Sequence, residues 1–592
     1  MVQRLWLAAA LVAVQIATSS SAQTAPPASG STGGSVPFTL PGWPFGLPAS
    51  GSSGNPSSGN GTPTPPLAYP TVTTPIVNPT TPTRITLGKM LFWDEQMSSD
   101  NTMACGTCHR PAAGWADPRS ALPESIHPGI DLQFGTADDR RGSPGIVKCL
   151  GTGLLQNDGV FFPRPQVTSR RAPSVADAMF FSSLFWDGRS GGAFTNPELV
   201  NGTATIGAAL EAISLVPMLN SNEMAAQGRT AADIVAKLSA ATALKLATNV
   251  PADIQALLAT SNDYDALFTV AFGPGGISEE RIARALASYM RTLKSDQTPY
   301  DLFLAGQLGA LTPAQVQGLS LFRSKGCAVC HTEALMTDLL FTNNGLTDTS
   351  LDTGRMEVTN IAADFGKFKA PSLRNVGLRE SSGMMHDGSF TSLDAVLLAY
   401  DQGGQFPINM DPLIVPLGLT AAERGVMADF LRNGLTDPRT AAELPPFDRP
   451  LLASESGLLP LTGGSGFSGG GGSTPTMIAR QPAFLGTSVT LGMAGGTAGA
   501  QAILALTTQP PTPGLSVMGI PIHIGLDQAP LLINRWLEGP TGFGNGFASA
   551  TLPIPNLAAI ANVEVYGQWF VLDPFAPLGI AASNGSYFAV NP

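Results

Sequence analysis

Cys105-Gly-Thr-Cys108-His109 and Cys327-Ala-Val-Cys330-His331 are two copies of one five-residue pattern, and together they take four of the chain's five cysteines. The Cys-x-x-Cys-His spacing is the pattern of covalent c-type haem attachment. Two thiols three positions apart can each add to a vinyl group of the porphyrin, and the imidazole of the next residue then lies beneath the iron as its proximal ligand. A structural zinc site would want four ligands from such cysteine pairs, and a thioredoxin-like dithiol would not repeat with a histidine after each copy. With five Cys and five His in 592 residues, the double match selects haem. Cys105, Cys108, Cys327 and Cys330 are therefore read as the attachment positions of two haems c, with His109 and His331 as proximal ligands. Cys149 has no partner for a disulfide and reads as a buried free thiol.

Around these motifs the chain divides by composition. Arg4, the apolar run from Leu5 to Ala17 and the small residues Ser20-Ser21-Ala22 form the pattern of a cleavable signal peptide over 1–22. Neither that run nor any later segment is long and apolar enough to span a bilayer. Because c-type haem attachment in bacteria also requires export, a periplasmic or extracellular protein is expected. Its few cysteines mean that disulfides do not hold it together. A formal net charge of -11 with 13% charged residues argues against nucleic acid, whose phosphates need basic stripes.

Residues 23–83, rich in Gly, Ser, Pro and Thr, read as a disordered tether. A Gly/Ser stretch within 451–475 reads as a linker. Between them lie helical signals: Ser278 before Glu279-Glu280 with an apolar stripe from Ile282 to Leu293, Thr312-Pro313, and the capping box Thr420-Ala-Ala-Glu423. Beyond the second linker, Ser488–Leu491 and Val563–Val571 alternate as strands. The expected fold is mainly α, with two cytochrome-c-like haem domains over 84–300 and 301–450, followed by a small β-sandwich-like C-terminal domain over 476–592. His523 lies alone in that tail, a surface or core histidine rather than a ligand.

Several blocks between and around the haem motifs resemble the bacterial di-haem cytochrome c peroxidase and MauG family: Leu87-Gly-Lys-Met-Leu-Phe-Trp93, Arg171-Ala-Pro-Ser-Val175, Phe185-Trp-Asp-Gly-Arg189, Asn220-Ser-Asn-Glu-Met224, Ala370-Pro-Ser-Leu-Arg-Asn-Val376 and His386-Asp-Gly-Ser-Phe390. The resemblance covers roughly residues 84–440 and leaves the tail unexplained. It implies that the N-terminal haem, on His109, meets H₂O₂, and that the C-terminal haem, on His331, stores or relays an electron. It also implies that Trp186 lies between the haems and that Glu223 is the distal carboxylate. A carboxylate in an apolar pocket can move a proton from the inner to the outer oxygen of a peroxide, as base and then as acid. Outside that context Trp186 would be an ordinary packed aromatic and Glu223 a surface residue of a helix.

Other positions depart from the family or separate its branches. The place usually held by a glutamine near the distal carboxylate is Ile213, so a distal hydrogen bond is missing or supplied by another group. Tyr400 stands where ordinary di-haem peroxidases carry a methionine ligand to the second iron and MauG-type proteins a tyrosine; Met384, Met385 and Met410 compete with it. A phenol oxygen favours oxidised iron, whereas a thioether favours reduced iron. His386 is expected to orient the second haem pocket. His127, eighteen residues past the first motif, is either a switchable ligand or a solvated loop histidine.

Bound Ca²⁺ is a further expectation, with Asp131–Asp139 as an acidic turn, although the family's inter-haem calcium ligands correspond here to Arg171 and Ser381, and Arg171 would repel a cation. The function expected is a di-haem peroxidase or MauG-like oxidoreductase, with a small donor cytochrome, a partner protein or an organic reductant as electron source. A non-enzymatic di-haem electron carrier and a di-haem oxygenase of the rubber-oxygenase type are the alternatives.

Overall fold

The computed structural model describes residues 69–191, 194–195, 204–205 and 208–592. The signal-peptide reading and most of the expected tether lie outside the described residues. The last part of that tether, 69–83, is packed onto the body. The Tyr69 ring meets Phe180 edge-on at 5.7 Å and its hydroxyl donates to Asp177, while Asn78 Nδ2 donates to Glu211 Oε1 at 2.8 Å and to the Arg284 carbonyl at 3.0 Å. A polar, proline-rich composition conceals such point contacts.

The helix Pro82–Phe92 starts at Thr81, whose hydroxyl accepts from the Arg84 amide, with Pro82 at the first helical position where its missing N–H costs nothing. It lies against the helix Glu279–Met290, and Gly88 permits the approach, because a Cβ there would overlap the Ala285 carbonyl. Leu87, Met90, Leu91, Tyr264, Phe268, Ile282 and Leu286 form the centre of one core. A second core gathers Tyr300, Leu319, Phe322, Leu397, Met427 and Phe430. Thr312 with Pro313 and the capping box Thr420/Glu423 open helices Pro313–Ser324 and Ala421–Asp429 as expected, and Gln315 completes a capping box at the first as well. The latter continues as a π turn over Phe430–Gly434.

The C-terminal part is built from β1 (Leu461–Gly463), β2 (Thr476–Ala479), β3 (Ser488–Gly496), β4 (Gln501–Thr507), β5 (Leu531–Trp536), β6 (Gly546–Pro553), β7 (Glu564–Leu572) and β8 (Ile580–Ala589). They form a five-stranded sheet ordered β5-β4-β7-β8-β1 and a three-stranded sheet ordered β6-β3-β2. Leu491 of β3 approaches Gly567 of β7, so this side of β3 faces the larger sheet.

The reading of 451–475 as a linker needs correction. Leu461–Gly463 pairs with β8 as an edge strand. The Gly470 amide donates to Asp573 Oδ2 at 2.7 Å, and Gly470 and Gly471 lie so close to the Phe543 ring that a Cβ on either would strike it. Glycine serves close approach here rather than flexibility.

Candidate active site

Each haem motif is a short helix, Cys105–Cys108 and Cys327–Cys330, ended by its histidine. Each opens on a cavity, one of about 240 Å³ and one of about 210 Å³. His109 Nδ1 lies 3.2 Å from the Trp115 carbonyl and His331 Nδ1 lies 3.1 Å from the Met336 carbonyl. Donating Nδ1–H to these carbonyls leaves Nε2 with the free lone pair a metal ligand needs. Burial lowers the pKa of both imidazoles, which favours the neutral ligand form. Burial also pushes the Cys105 thiol up to about 12 and the Cys327 thiol up to about 11; a thiolate is disfavoured there, whereas a thioether has no charge to bury.

The remaining walls fit a haem as well. Arg171 lines both cavities and Arg379 lines the second. Burial pulls both guanidinium groups down to about 10, and in each the Nε is buried with no hydrogen-bond partner. Among the described residues, the Arg171 side chain bonds only the Ser382 hydroxyl, at 2.8 Å, and Arg379 bonds only the carbonyls of Ser372 and Arg374. Two buried cations beside apolar cavities call for anionic groups, and a haem carries two propionates.

Glu223 is half-buried and faces the first cavity. It sits at the end of a turn in which the amides of Glu223, Met224 and Ala225 all point at the Asn220 carbonyl. Burial raises its carboxyl pKa; Arg189 and a 2.8 Å hydrogen bond from Asn220 Nδ2 to Oε1 partly offset this. Ile213 lines the same cavity and has no hydrogen bond to give; the side chain that bonds Glu223 is Asn220. The signal was present in Asn220-Ser-Asn-Glu223, within a block already singled out.

Trp186 borders both cavities. Its indole N–H donates to the Arg171 carbonyl at 2.8 Å and its own carbonyl accepts from the Lys369 amide at 2.8 Å, which fixes the ring between the two sites. Lys369 also borders both cavities, a placement the sequence did not disclose. Its ammonium bonds the Ser183 carbonyl and lies 4.4 Å from the Phe181 ring centre, and burial lowers its pKa to about 7.

Tyr400 opens on the second cavity with Met384 and Met385, whereas Met410 does not line it and packs on Gly345 and Gly404. Asn344 Nδ2 donates to the Tyr400 hydroxyl at 3.1 Å, and burial pushes that phenol up to about 12. His386 stacks on Phe368 at 3.6 Å, with Nε2 3.5 Å from Asp352 Oδ2. His127 lines neither cavity. It belongs to a two-residue strand paired with Arg140–Arg141, and its Nδ1 accepts from the Gly129 amide.

In the Asp131–Asp139 turn, Asp138 accepts from the amides of Ile130 and Asp131 and Asp139 from that of Gly135, so these carboxylates cap their own loop. Among the described residues no three or more His, Cys, Asp or Glu side chains gather as a cation site, and no helix is long and apolar enough to cross a membrane. Cys149 is buried and free, its thiol pushed up to about 12.

Residues 82–309 match the family described as di-haem cytochrome c peroxidase. Methylamine utilization protein MauG of Methylophilus methylotrophus is 29% identical over 329 residues, 55% of this chain and 74% of that protein. The protein of the same name from Methylorubrum extorquens is 29% identical over 376 residues, 63% of this chain and 84% of its own. Cytochrome c peroxidase Ccp of Escherichia coli is 28% identical over 339 residues, 56% of each chain. Among solved structures, a MauG-like protein associated with microbial copper homeostasis shares 26% identity at a TM-score of 0.46, covering 64% of this chain and 97% of that one.

Proposed function

We propose, for a chain whose haem-bearing part belongs to the di-haem cytochrome c peroxidase and MauG family of oxidoreductases, that it uses H₂O₂ in the first cavity and draws electrons from the second through Trp186. Cys105, Cys108 and His109 hold one haem c, and Cys327, Cys330 and His331 hold the other. When bound, these haems supply a peroxide-reactive iron in the first cavity and an electron store in the second.

Glu223, lifted above the usual carboxylate range, would accept a proton from the inner peroxide oxygen and return it to the outer one, so that the O–O bond breaks and the outer oxygen leaves as water, the two electrons this takes being supplied by the haem sites. Asn220 keeps that carboxylate aimed. Trp186 offers an oxidisable indole within reach of both sites. Tyr400, which lines the second cavity, would offer an oxygen rather than a sulfur to an iron held there, a donor that favours a store of oxidising equivalents over a reducing relay. Such a donor suits oxidation of a partner protein or organic substrate better than drainage of a small donor cytochrome. Export, expected from residues 1–22, belongs to the same proposal, and the mature protein should begin near Gln23 in its intact mass.

The observation that carries the reading is the sharing of Trp186 between two haem-motif cavities, only one of which holds a raised carboxyl. The test mixes the mature protein with stoichiometric H₂O₂ while absorption and EPR spectra are followed. Prompt consumption of peroxide with spectral change at both haems is expected. If both irons are six-coordinate and low-spin and neither responds, in the resting or the half-reduced form, the protein is an electron carrier and the proposal fails.

A further inference from the structure

The C-terminal β-domain lies beyond the stretch that matches the family, yet one face of its smaller sheet is part of the N-terminal haem core. In β3 and β6 the cross-strand pairs Thr490–Thr551, Gly492–Ser549 and Ala494–Phe547 fall in register, and side chains on one face of a pleated pair lie over one another. Ala494, Phe547 and Ile478 of β2 belong to the same buried cluster as Trp93, Met224 and Leu286.

What this face holds is residues 144–167. That segment is a hairpin whose arms meet at Pro144/Val167 and Cys149/Leu155. Its tip is seated on the sheet. The Leu155 amide donates to Ser549 Oγ at 3.0 Å, and Thr490 Oγ1 donates to the Gly153 carbonyl at 3.1 Å. The Leu155 side chain lies where a Cβ on Gly492 would be, and Phe162 packs on Phe547 with ring centres 5.0 Å apart.

The other end of the hairpin grips the distal turn of the first cavity. The Ile146 amide donates to the Glu223 carbonyl at 3.0 Å and the Gln227 amide to the Cys149 carbonyl at 2.9 Å. Gly145 lies so flat on Asn222 and Glu223 that a Cβ there would overlap their backbone. Ser143, Pro144, Gly145 and Thr168 themselves line the cavity.

We propose that the C-terminal β-domain braces the first cavity from outside: through Thr490, Gly492, Phe547 and Ser549 it fixes the 144–167 hairpin, and the hairpin positions Glu223. These are positioning residues, since none of them lines the cavity. Placement of a reacting group within a fraction of an ångström decides rate, so a domain far from the chemistry acts on it through two hydrogen bonds and one glycine contact. The kinetic half of this inference rests on the acid/base reading of Glu223; the mechanical half does not.

The test compares full-length holoprotein with Phe547→Ala, Phe547→Leu and Ser549→Ala variants by hydrogen exchange resolved to peptides 143–150 and 222–228. Phe547→Ala and Ser549→Ala are expected to exchange about fivefold or more faster in both peptides, the effect of losing an interaction worth about one hydrogen bond. Exchange in β4 and β7 and the haem content should hold, Phe547→Leu should recover most of the protection, and Trp536→Ala, exposed on the other sheet, should change nothing. Peroxide turnover should fall with the lost protection and recover with it. If Phe547→Ala loosens the whole chain, Ser549→Ala decides. Wild-type exchange at both peptides in Ser549→Ala and in any folded Phe547→Ala overturns the proposal. A Glu223→Gln variant of undiminished rate would instead remove the acid/base reading and leave the exchange result standing.

Discussion

Glu223 is shaped by opposed neighbours: the apolar wall of Leu210, Ile213 and Met224 disfavours its charge, while Asn220 and Arg189 favour it, and the wall prevails. Its base form is the one that accepts the first proton, so peroxide turnover should decline as pH falls through a limb lying above the ordinary carboxylate range. Glu223→Gln should lower the rate about 10²-fold or more and abolish that limb, as stopped-flow profiles across pH would read; a limb that persists in the Gln variant belongs to another group. At the second site the oxygen of Tyr400 can be exchanged for a thioether. Tyr400→Met should raise the reduction potential of the second haem and make its reduced form easier to populate; an unchanged spectroelectrochemical titration would remove Tyr400 from the iron. Trp186 was legible from its block, because a tryptophan between Phe185 and Asp187-Gly-Arg189 carries little ambiguity. Lys369 was not, because burial of a lone lysine leaves no pattern in sequence.

The elements differ in how openly the sequence announces them. Helices with capping boxes, such as Pro313–Ser324 and Ala421–Asp429, were readable because the cap and the apolar stripe are local. The hairpin over 144–167 was not, since its hydrogen bonds go to Glu223, Gln227 and Ser549, far along the chain. The two haem helices look interchangeable in sequence but are packed differently. In Cys105–Cys108 the second position is Gly106, and a Cβ there would overlap the ring of the fully buried Trp93. In Cys327–Cys330 the corresponding residue is Ala328, already carrying a Cβ. Gly106→Ala should therefore cost about 1–3 kcal/mol by overpacking and lower haem loading at the first motif, while Ala328→Gly should cost about 1 kcal/mol or less. Haem count by pyridine haemochrome and melting of the holoprotein separate the two; equal effects would mean that Trp93 yields without strain.

At the scale of the molecule the chain is not three beads in a row. After the second core it returns to the first: Phe447 packs on Trp115 at 5.7 Å, Lys89 bonds Asp448 at 2.8 Å, and Glu95 Oε2 accepts from the Ala453 amide at 2.7 Å. From that seam it runs into the β-domain, whose smaller sheet closes over the same core. The sequence reading did not disclose the seam: it divided 443–456 between the second haem domain and the linker, because this Pro- and Leu-rich stretch has no periodicity of its own. Glu95 makes the seam testable. It is buried, its Oε1 has no partner among the described residues, and burial lifts its carboxyl from 4.5 to about 8. In the unfolded chain the group ionises near 4.5, so between that value and about 8 the folded protein holds the extra proton. Its contribution to stability is therefore fully present at low pH and declines as pH rises, by about 1.4 kcal/mol per unit across that window. Glu95→Gln keeps an oxygen for the Ala453 amide and has no charge to bury. Relative to the parent, the variant should melt at nearly the same temperature at pH 5 and several degrees higher at pH 8, and a gap of equal size at both pH values would mean that Glu95 does not titrate in this window.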